Sequence, residues 1–495
     1  MRNFNRSVLS FAVICCILLL YPRNLSAEPA AREVLTAMKK ASDFMANTVS
    51  NRGGYVSRYS ADLTEKWGEI QALPSQIMVQ PPGTTTVGMI FLEAYKTTGD
   101  SDYIEYARRA ANALIWGQHP AGGWHYLIDF DMQGIRKWYE EFASKCWGWE
   151  EYLHYYGNCT FDDDATTAPA KYLLELYMVT LDPRYRAPLI RALDFILESQ
   201  YPNGAWPQRY PLMDEHMHGG HPDYTSCYTF NDGVIKNNIM ILLEARNKLG
   251  NEEYRKAALR GMDFYIISQL PEPQAGWADQ YDMDLKPAWG RSYEPPALSS
   301  GLTARTISDL ETFYMITGNR KYLKPIPGAL DWLENAVINT DPAINYTHAY
   351  YYEPGTNRPF YTHREGTCVE DERYWHDYDM NNLYPYGPPY VLQVRGIRDE
   401  YERVKSLSPE DAKVEYEAGR KASLNIPAVE PDEVAEIISN LDERGAWITE
   451  FQVPQNYFGD VFKTPWRTVR GIEVQVFQRN MQTLVNYLKR KQLEK

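Results

Sequence analysis

Three successive carboxylates, Asp162, Asp163 and Asp164, stand in Cys159-Thr-Phe-Asp-Asp-Asp-Ala-Thr-Thr167, where a loop gives way to a helix beginning near Ala165. Carboxylates this close repel one another unless a cation or a helix N-terminus offsets their charge. A near copy, Tyr228-Thr-Phe-Asn-Asp-Gly233, again precedes a helical pattern, Val234 to Leu249. Two loops presenting Asp and Asn oxygens suit a hard cation such as Ca²⁺, with Asp162, Asp163, Asp232 and Asn231 as candidate ligands. Each stretch alone also reads as an acidic helix N-terminus with Asp as its cap. The repetition of Thr-Phe-(Asp/Asn)-Asp favours a site.

A second candidate is the loop Pro287-Ala-Trp-Gly-Arg-Ser-Tyr-Glu-Pro-Pro296, whose backbone is stiffened by prolines. Its Arg291, flanked by Trp289 and Tyr293, can bind a carboxylate in bidentate fashion or stack on an aromatic ring. An ion pair with Glu294 is the structural alternative. His216, His218 and His221 fall within one short stretch and form a possible transition-metal tract, though Gly219-Gly220 reads equally well as a loop. His363-Arg364-Glu365 is either an acid–base group or a salt-bridged loop.

The elements that must hold these residues follow a repeating grammar. Gly99-Asp-Ser-Asp-Tyr103, Leu181-Asp-Pro-Arg-Tyr185, Gly250-Asn-Glu-Glu-Tyr254 and Gly318-Asn-Arg-Lys-Tyr322 each read as a turn opening an amphipathic helix. Another apolar helix precedes each turn, over 86–98, 166–180, 234–249 and 302–317. Three of the helices after the turns run into Gln118-His-Pro-Ala-Gly-Gly-Trp124, Gln200-Tyr-Pro-Asn-Gly-Ala-Trp206 and Gln269-Leu-Pro-Glu-Pro-Gln-Ala-Gly-Trp277. Gly53-Gly54-Tyr55 and Gly445-Ala446-Trp447 are shorter relatives. Helix pairs of this kind bury their faces by stacking side by side. The expectation is an all-α fold, an α/α toroid whose aromatic loops gather at one end and line a cleft. Trp206, Trp289 and Tyr293 are then candidates to stack on sugar rings. Residues 125–158 interrupt the repeat as a loop and short helix over one face and 340–395 as a long irregular loop, 405–433 read as a charged surface excursion, and a last helix spans about 470–492.

Composition narrows the partners. The chain is 44% hydrophobic and 14% aromatic, enough for a large core. Residues 1–27 read as a secretory signal, with Arg2 and Arg6 before an apolar run and Leu25-Ser26-Ala27 as the cleavage site. The apolar run is short for a spanning helix, so stable membrane insertion is not expected. Loss of that segment removes three Arg and no acid, taking the net charge from −14 to about −17. So acidic a protein is not a nucleic-acid binder. The expectation is a single domain over 28–495, secreted or periplasmic; its oligomeric state is not readable. Cys146, Cys159, Cys227 and Cys368 remain after cleavage, and a Cys159–Cys227 bridge would tie the two acidic loops together.

Five motifs in order, Thr160-Phe-Asp-Asp-Asp-Ala-Thr-Thr167, Gln200-Tyr-Pro-Asn-Gly-Ala-Trp-Pro-Gln208, Tyr228-Thr-Phe-Asn-Asp232, Gly290-Arg-Ser-Tyr-Glu-Pro-Pro296 and Gly355-Thr-Asn-Arg-Pro-Phe360, resemble the pectate lyases of polysaccharide lyase family ten. The resemblance covers residues 122–366, about half of the chain. It implies a Ca²⁺-assisted β-elimination of polygalacturonate with an arginine base. The base maps onto Arg291, the calcium ligands onto Asp162 and Asp232 with Asp163 and Asn231 beside them, and the substrate-carboxylate ligands onto Arg358 and Arg364. There are departures. Asp163 stands where the family has Asn, Gly233 where Asp is common, and His125-Tyr126-Leu127 where a substrate-side lysine is expected. A toroidal glycoside hydrolase using Asp162 and Asp232, and a non-catalytic calcium-dependent glycan binder, are the competing readings.

Overall fold

The computed structural model describes residues 29–131, 134–143, 154–213, 221–341, 343, 347–367, 370–383, 387–422, 426–454 and 466–493. The segment 1–27, Cys146, Cys368, His216 and His218 lie outside them. Helical hairpins dominate, because the turn grammar works as a pair of caps. Helix α1 (Ala31–Phe44) is followed by α2 (Thr84–Thr98) and α3 (Ser101–Trp116), then by α4 (Thr167–Thr180) and α5 (Pro183–Glu198). Next come α6 (Val234–Leu249), α7 (Glu252–Ile267), α8 (Ser300–Thr317) and α9 (Ile326–Asn335). The helices α2, α4, α6 and α8 each end on a left-handed residue, Gly99, Leu181, Gly250 or Gly318. The next residue, Asp100, Asp182, Asn251 or Asn319, caps the following helical segment by accepting a backbone N–H. The tyrosine of each motif, Tyr103, Tyr185, Tyr254 or Tyr322, is buried and anchors that segment to the core.

The glutamine–glycine–tryptophan loops join one hairpin to the next. Gln118 Nε2 donates to Gly122 O in its own loop at 2.7 Å and to Pro188 O of α5 at 2.9 Å. Gln200 does the same with Gly204 O (3.0 Å) and Ala257 O of α7 (2.9 Å), and Gln269 with Ala275 O and Pro325 O (2.8 Å each). The indole N–H groups of Trp124, Trp206, Trp277 and Trp447 each donate back to a carbonyl of the preceding outer helix, at 2.7–2.9 Å. These aromatics are therefore structural.

The same loops explain how the ring closes. Gly53 rests on Arg109 of α3, Gly122 on Arg191 of α5 and Gly204 on Arg260 of α7. Gly445, which follows α12 (Pro431–Ser439), rests on Lys40 of α1, and α13 (Val474–Leu493) packs on α1 and α2. The end of the chain thus meets its beginning, as expected of an α/α toroid. Gly204 has φ +101, and a Cβ there would lie 2.1 Å from Arg260 O. Gly204→Ala is expected to cost roughly 2–4 kcal/mol, read as a lowered thermal midpoint at fixed scan rate.

Two expectations need correction. Residues 405–433 are not a mere surface excursion: α10 (Val394–Ser406) and α11 (Pro409–Ala422) both pack against α8, whose exposed flank they cover. This burial traps Glu311 of α8, 4% exposed, near Glu400. Burial and the Glu400 charge push its pKa from the ordinary 4.5 up to about 8. The unfolded chain releases this proton at lower pH than the folded one, so stability falls as pH rises from 4.5 towards 8. Glu311→Gln is expected to stabilise the protein by on the order of 2 kcal/mol at pH above about 7 and to change little near pH 4; thermal melts across that range test it. The aromatic stretch 340–395, in turn, contains a long hairpin, Pro359–Thr367 paired with Glu370–Asp377, in register His363↔Trp375 and Arg364↔Tyr374.

Candidate active site

Short ladders set the acidic turns in place. Strand β1 (Cys159–Thr160) pairs with β2 (Arg209–Tyr210), and β3 (Tyr228–Thr229) with β4 (Gln280–Tyr281). Thr160 and Thr229 donate backbone N–H groups to Trp124 O (2.9 Å) and Trp206 O (3.1 Å), so each turn hangs from the preceding tryptophan loop. Phe161 N–H reaches Gln208 O and Phe230 N–H reaches Asp279 O, both at 2.9 Å, tying each turn to the following loop as well. Held on both sides, Asp163 (φ 47) and Asp232 (φ 50) take the left-handed conformation at equivalent positions. Such outliers persist where the surroundings over-determine them, commonly at functional sites.

The two turns meet at the N-terminal ends of α4 and α6. One carboxylate oxygen each from Asp162, Asp163 and Asp232 lies within 4.8 Å of the others. Asp164 is not among them; its Oδ1 accepts the Thr167 hydroxyl at 2.5 Å and serves the start of α4. Tyr126 OH donates to Asp162 Oδ2 at 2.5 Å, while Asp162 Oδ1 is buried with no hydrogen-bond partner among the described residues. Gln80 Nε2 bridges Glu69 Oε1 (2.6 Å) and Asp163 Oδ2 (3.2 Å).

Charge crowding follows from this geometry. Burial opposes ionisation of Asp162, but hydrogen bonds from Asp232 and Tyr126 and the Arg291 and Arg209 charges hold its pKa below the ordinary value. Burial and the neighbouring Asp162 charge push Asp232 well up. With 27% of the Asp232 side chain still meeting solvent, the like charge is the firmer cause. Burial, Asp162 and Glu69 raise Asp163 to about 8. Three carboxylates with one orphaned oxygen and no room for three charges make a donor set that a hard divalent cation fits. Asn231 donates Nδ2 to Glu294 Oε1 at 2.9 Å, which leaves its amide oxygen as the atom able to join them.

Arg291 enters the same cluster. Its Nη2 lies 3.1 Å from Asp232 Oδ2. Glu294 holds the guanidinium from the other side, accepting from Nε at 3.0 Å and from Nη2 at 2.9 Å, and also accepts the Arg291 backbone N–H at 2.9 Å. The expected ion pair with Glu294 is therefore present, and it orients the arginine towards the acidic turns instead of removing it from them.

The remaining candidates divide. Trp206 is fully buried and Tyr293 is 1% exposed, so neither offers a face to a sugar; both sequence assignments are corrected here. Tyr293 instead lies beneath the Arg291 guanidinium, 5.4 Å from its ring centre. Trp289 is half-buried between His221, stacked at 4.9 Å, and His376 at 5.2 Å. Arg364, half-buried, lies 5.7 Å from the Tyr374 ring, which neighbours Tyr293. Arg358 is exposed and stacks on Tyr378 at 3.4 Å. His221 is buried and meets Ser292 Oγ at 3.1 Å; His363 is buried and meets Asp377 Oδ1 at 2.9 Å. Lys286 is exposed beside Asp284. Cys159 and Cys227 are not bridged to each other, against the expected pairing. A Cβ at Gly123 would meet Cys159 Cβ at 2.8 Å, so the Cys159 side chain faces the Gly122–Trp124 loop.

A family model described as pectic acid lyase matches residues 132–383, just over half of the 495-residue chain. The chain belongs to the pectic acid lyase family. As a member it is a lyase acting on polysaccharides. Similar solved structures include a family 10 polysaccharide lyase from Cellvibrio cellulosa, as a mutant in complex with trigalacturonic acid. That mutant is 18% identical, covers 65% of this chain and 98% of its own, and has a TM-score of 0.41. A second structure of the Cellvibrio cellulosa enzyme is 19% identical over the same shares, at a TM-score of 0.38. An unsaturated glucuronyl hydrolase specific for heparin is 12% identical, covers 94% of this chain and 99% of its own, and scores 0.39. No curated protein matches the chain.

The acidic cluster draws part of its surroundings from outside the matched span: Glu69, Gln80 and Tyr126 all precede residue 132. The sequence reading missed them. A signal existed in the repeat, because Met78 N–H donates to Tyr55 O as Thr160 N–H donates to Trp124 O. Gln80 thereby occupies the position of Asp162 in an earlier copy of the turn.

Proposed function

We propose that the protein is an exported pectate lyase that cleaves polygalacturonate by β-elimination, with Arg291 as the base. The observation that carries this reading is the approach of Arg291 Nη2 to within 3.1 Å of Asp232, inside the acidic cluster. Elimination removes the C5 proton of a uronate and expels the C4 glycosidic oxygen. That proton is barely acidic beside a fully charged carboxylate. Asp162, Asp163 and Asp232, with the Asn231 amide oxygen, would hold calcium. Calcium held there supplies positive charge, which withdraws electron density from the uronate carboxylate and favours the neutral form of Arg291.

The chain's own groups do the rest. Glu294 fixes the plane of the guanidinium through two N–H···O contacts, and the prolines around Arg291 fix its loop. A base already oriented towards C5 makes proton removal effectively unimolecular. Tyr126 holds Asp162 by Oδ2 and leaves Oδ1 without a hydrogen-bond partner among the described residues. Arg364 and Arg358 are the proposed ligands for further substrate carboxylates, and the half-buried Trp289 the proposed sugar-facing ring. The N-terminal 27 residues, as a secretory signal, would place the enzyme outside the cytoplasm, where pectic polymers are met.

Hydrolysis is disfavoured by spacing. Glycosidase carboxyl pairs stand roughly 5–9.5 Å apart to flank the bond, whereas Asp162 and Asp232 bring oxygens within 4.8 Å of each other. Mass spectrometry of exhaustive polygalacturonate digests tests the proposal. Products lighter by one water than hydrolytic oligomers are expected, and saturated products at both new ends would overturn it.

A further inference from the structure

Beside Arg291 lies a cavity of about 400 Å³ whose wall away from the acidic turns the proposed chemistry does not use. Its size falls in the range of small-molecule sites, roughly 300–1,000 Å³. Neighbouring inner helices α2, α4 and α6 pack directly on one another, but α8 packs less closely against α6, and the cavity occupies the opening between their N-terminal turns. Asp232, Lys236, Arg291, Arg305, Asp309 and Tyr350 line it.

The two cations from the helices differ in a telling way. Lys236 is exposed and lies 2.5 Å from Asp309 Oδ1, a buried carboxylate that also accepts the Tyr265 hydroxyl at 3.2 Å. Arg305 is also exposed, yet it has no ion-pair partner among the described residues; the Tyr350 hydroxyl and, more remotely, the Asp279 carboxylate act on its charge. A guanidinium has five donors in a planar fork suited to a carboxylate, and one hydroxyl satisfies few of them. An Arg with no ion pair among the described residues, at the wall of a cavity shared with Arg291, is suited to receive a carboxylate.

We propose that Arg305, assisted by Lys236, forms a subsite that binds the carboxylate of a uronate residue next to the one from which Arg291 takes its proton. The subsite rests on the lyase reading for its place along the glycan, and it makes Arg305 a determinant of preference for free over methyl-esterified uronates.

The test uses the full chain and its Arg305→Gln variant with tetragalacturonate and its methyl ester, measuring product formation and, by calorimetry, binding. For the variant, KM for the free acid is expected to rise roughly tenfold with kcat little changed, the size of one lost charge-assisted contact. Its preference for free acid over ester should fall by a similar factor, which a merely structural arginine would not alter. Lys236→Gln should act in the same direction and less strongly. An active wild type whose Arg305→Gln variant keeps both KM and the preference overturns the subsite and spares the lyase reading. A wild type that binds tetragalacturonate without eliminating it defeats the lyase reading, and the calorimetric difference between wild type and variant still decides the subsite. A wild type that binds no oligogalacturonate overturns the subsite too.

Discussion

Arg291→Ala is expected to lower kcat on polygalacturonate by roughly 10²–10⁴-fold, the usual contribution of a positioned acid–base group, while the dissociation constant for the polymer changes little. The asymmetry follows from geometry. Arg291 is 8% exposed and bound on two sides by Asp232 and Glu294, so it presents a small edge to the cleft. Its loss removes little contact area but removes the only proposed base among the cluster's cationic groups. A pure glycan-binding protein predicts the opposite, a loss of affinity with no turnover to lose. Arg291→Lys separates charge from shape: it keeps a cation but cannot span both oxygens of Glu294. Its turnover should resemble that of Arg291→Ala. Steady-state kinetics and equilibrium binding on the same preparations distinguish these outcomes.

Asp162→Asn should raise the calcium concentration needed for half-maximal activity by roughly 10–100-fold or more, since ligand charge sets affinity at oxygen sites. The substitution keeps shape and leaves Tyr126 a partner, so unfolding is not the expected cause. Asp164→Asn is the natural control. Its carboxylate is adjacent in sequence but serves Thr167 at the start of α4. Calcium titrations of activity should leave that variant within about twofold of wild type. Equal shifts in both variants would mean that the acidic run acts as a diffuse field, and the site as drawn would fail.

The contrast between Asp162 and Asp164 also shows where sequence reading succeeds and where it stops. The helices were legible because caps and apolar periods are local: Asp100, Asp182, Asn251 and Asn319 do their work within a few residues of where they stand. The acidic turns were legible because they repeat. The repeat also marked Asp162 and Asp163, which align with Asn231 and Asp232, and left out Asp164, which aligns with Gly233. The left-handed turn that brings them together is imposed by strands far along the chain, and no local signal carries that. Aromatic residues fail for a related reason. Composition places Trp206 in a loop at the cleft end, but its indole is claimed by Ile196 O and turns inward. Glu69, Gln80 and Tyr126 reach the acids from more than 30 residues upstream of Cys159, across a fold that had to be known first. The Cys159–Cys227 bridge failed likewise: Cys159 matches Tyr228 in the repeat, one position off Cys227, and its side chain faces the Gly122–Trp124 loop.

The central claim is elimination by this cluster, and the direct measurement is ultraviolet absorbance of purified residues 28–495 mixed with polygalacturonate, with calcium or with excess chelator. The unsaturated sugar end formed by elimination absorbs; hydrolysis creates no such chromophore. The account predicts absorbance that rises with calcium, stays flat with chelator and returns when calcium is restored. Shortened chains with a flat trace in calcium would contradict it.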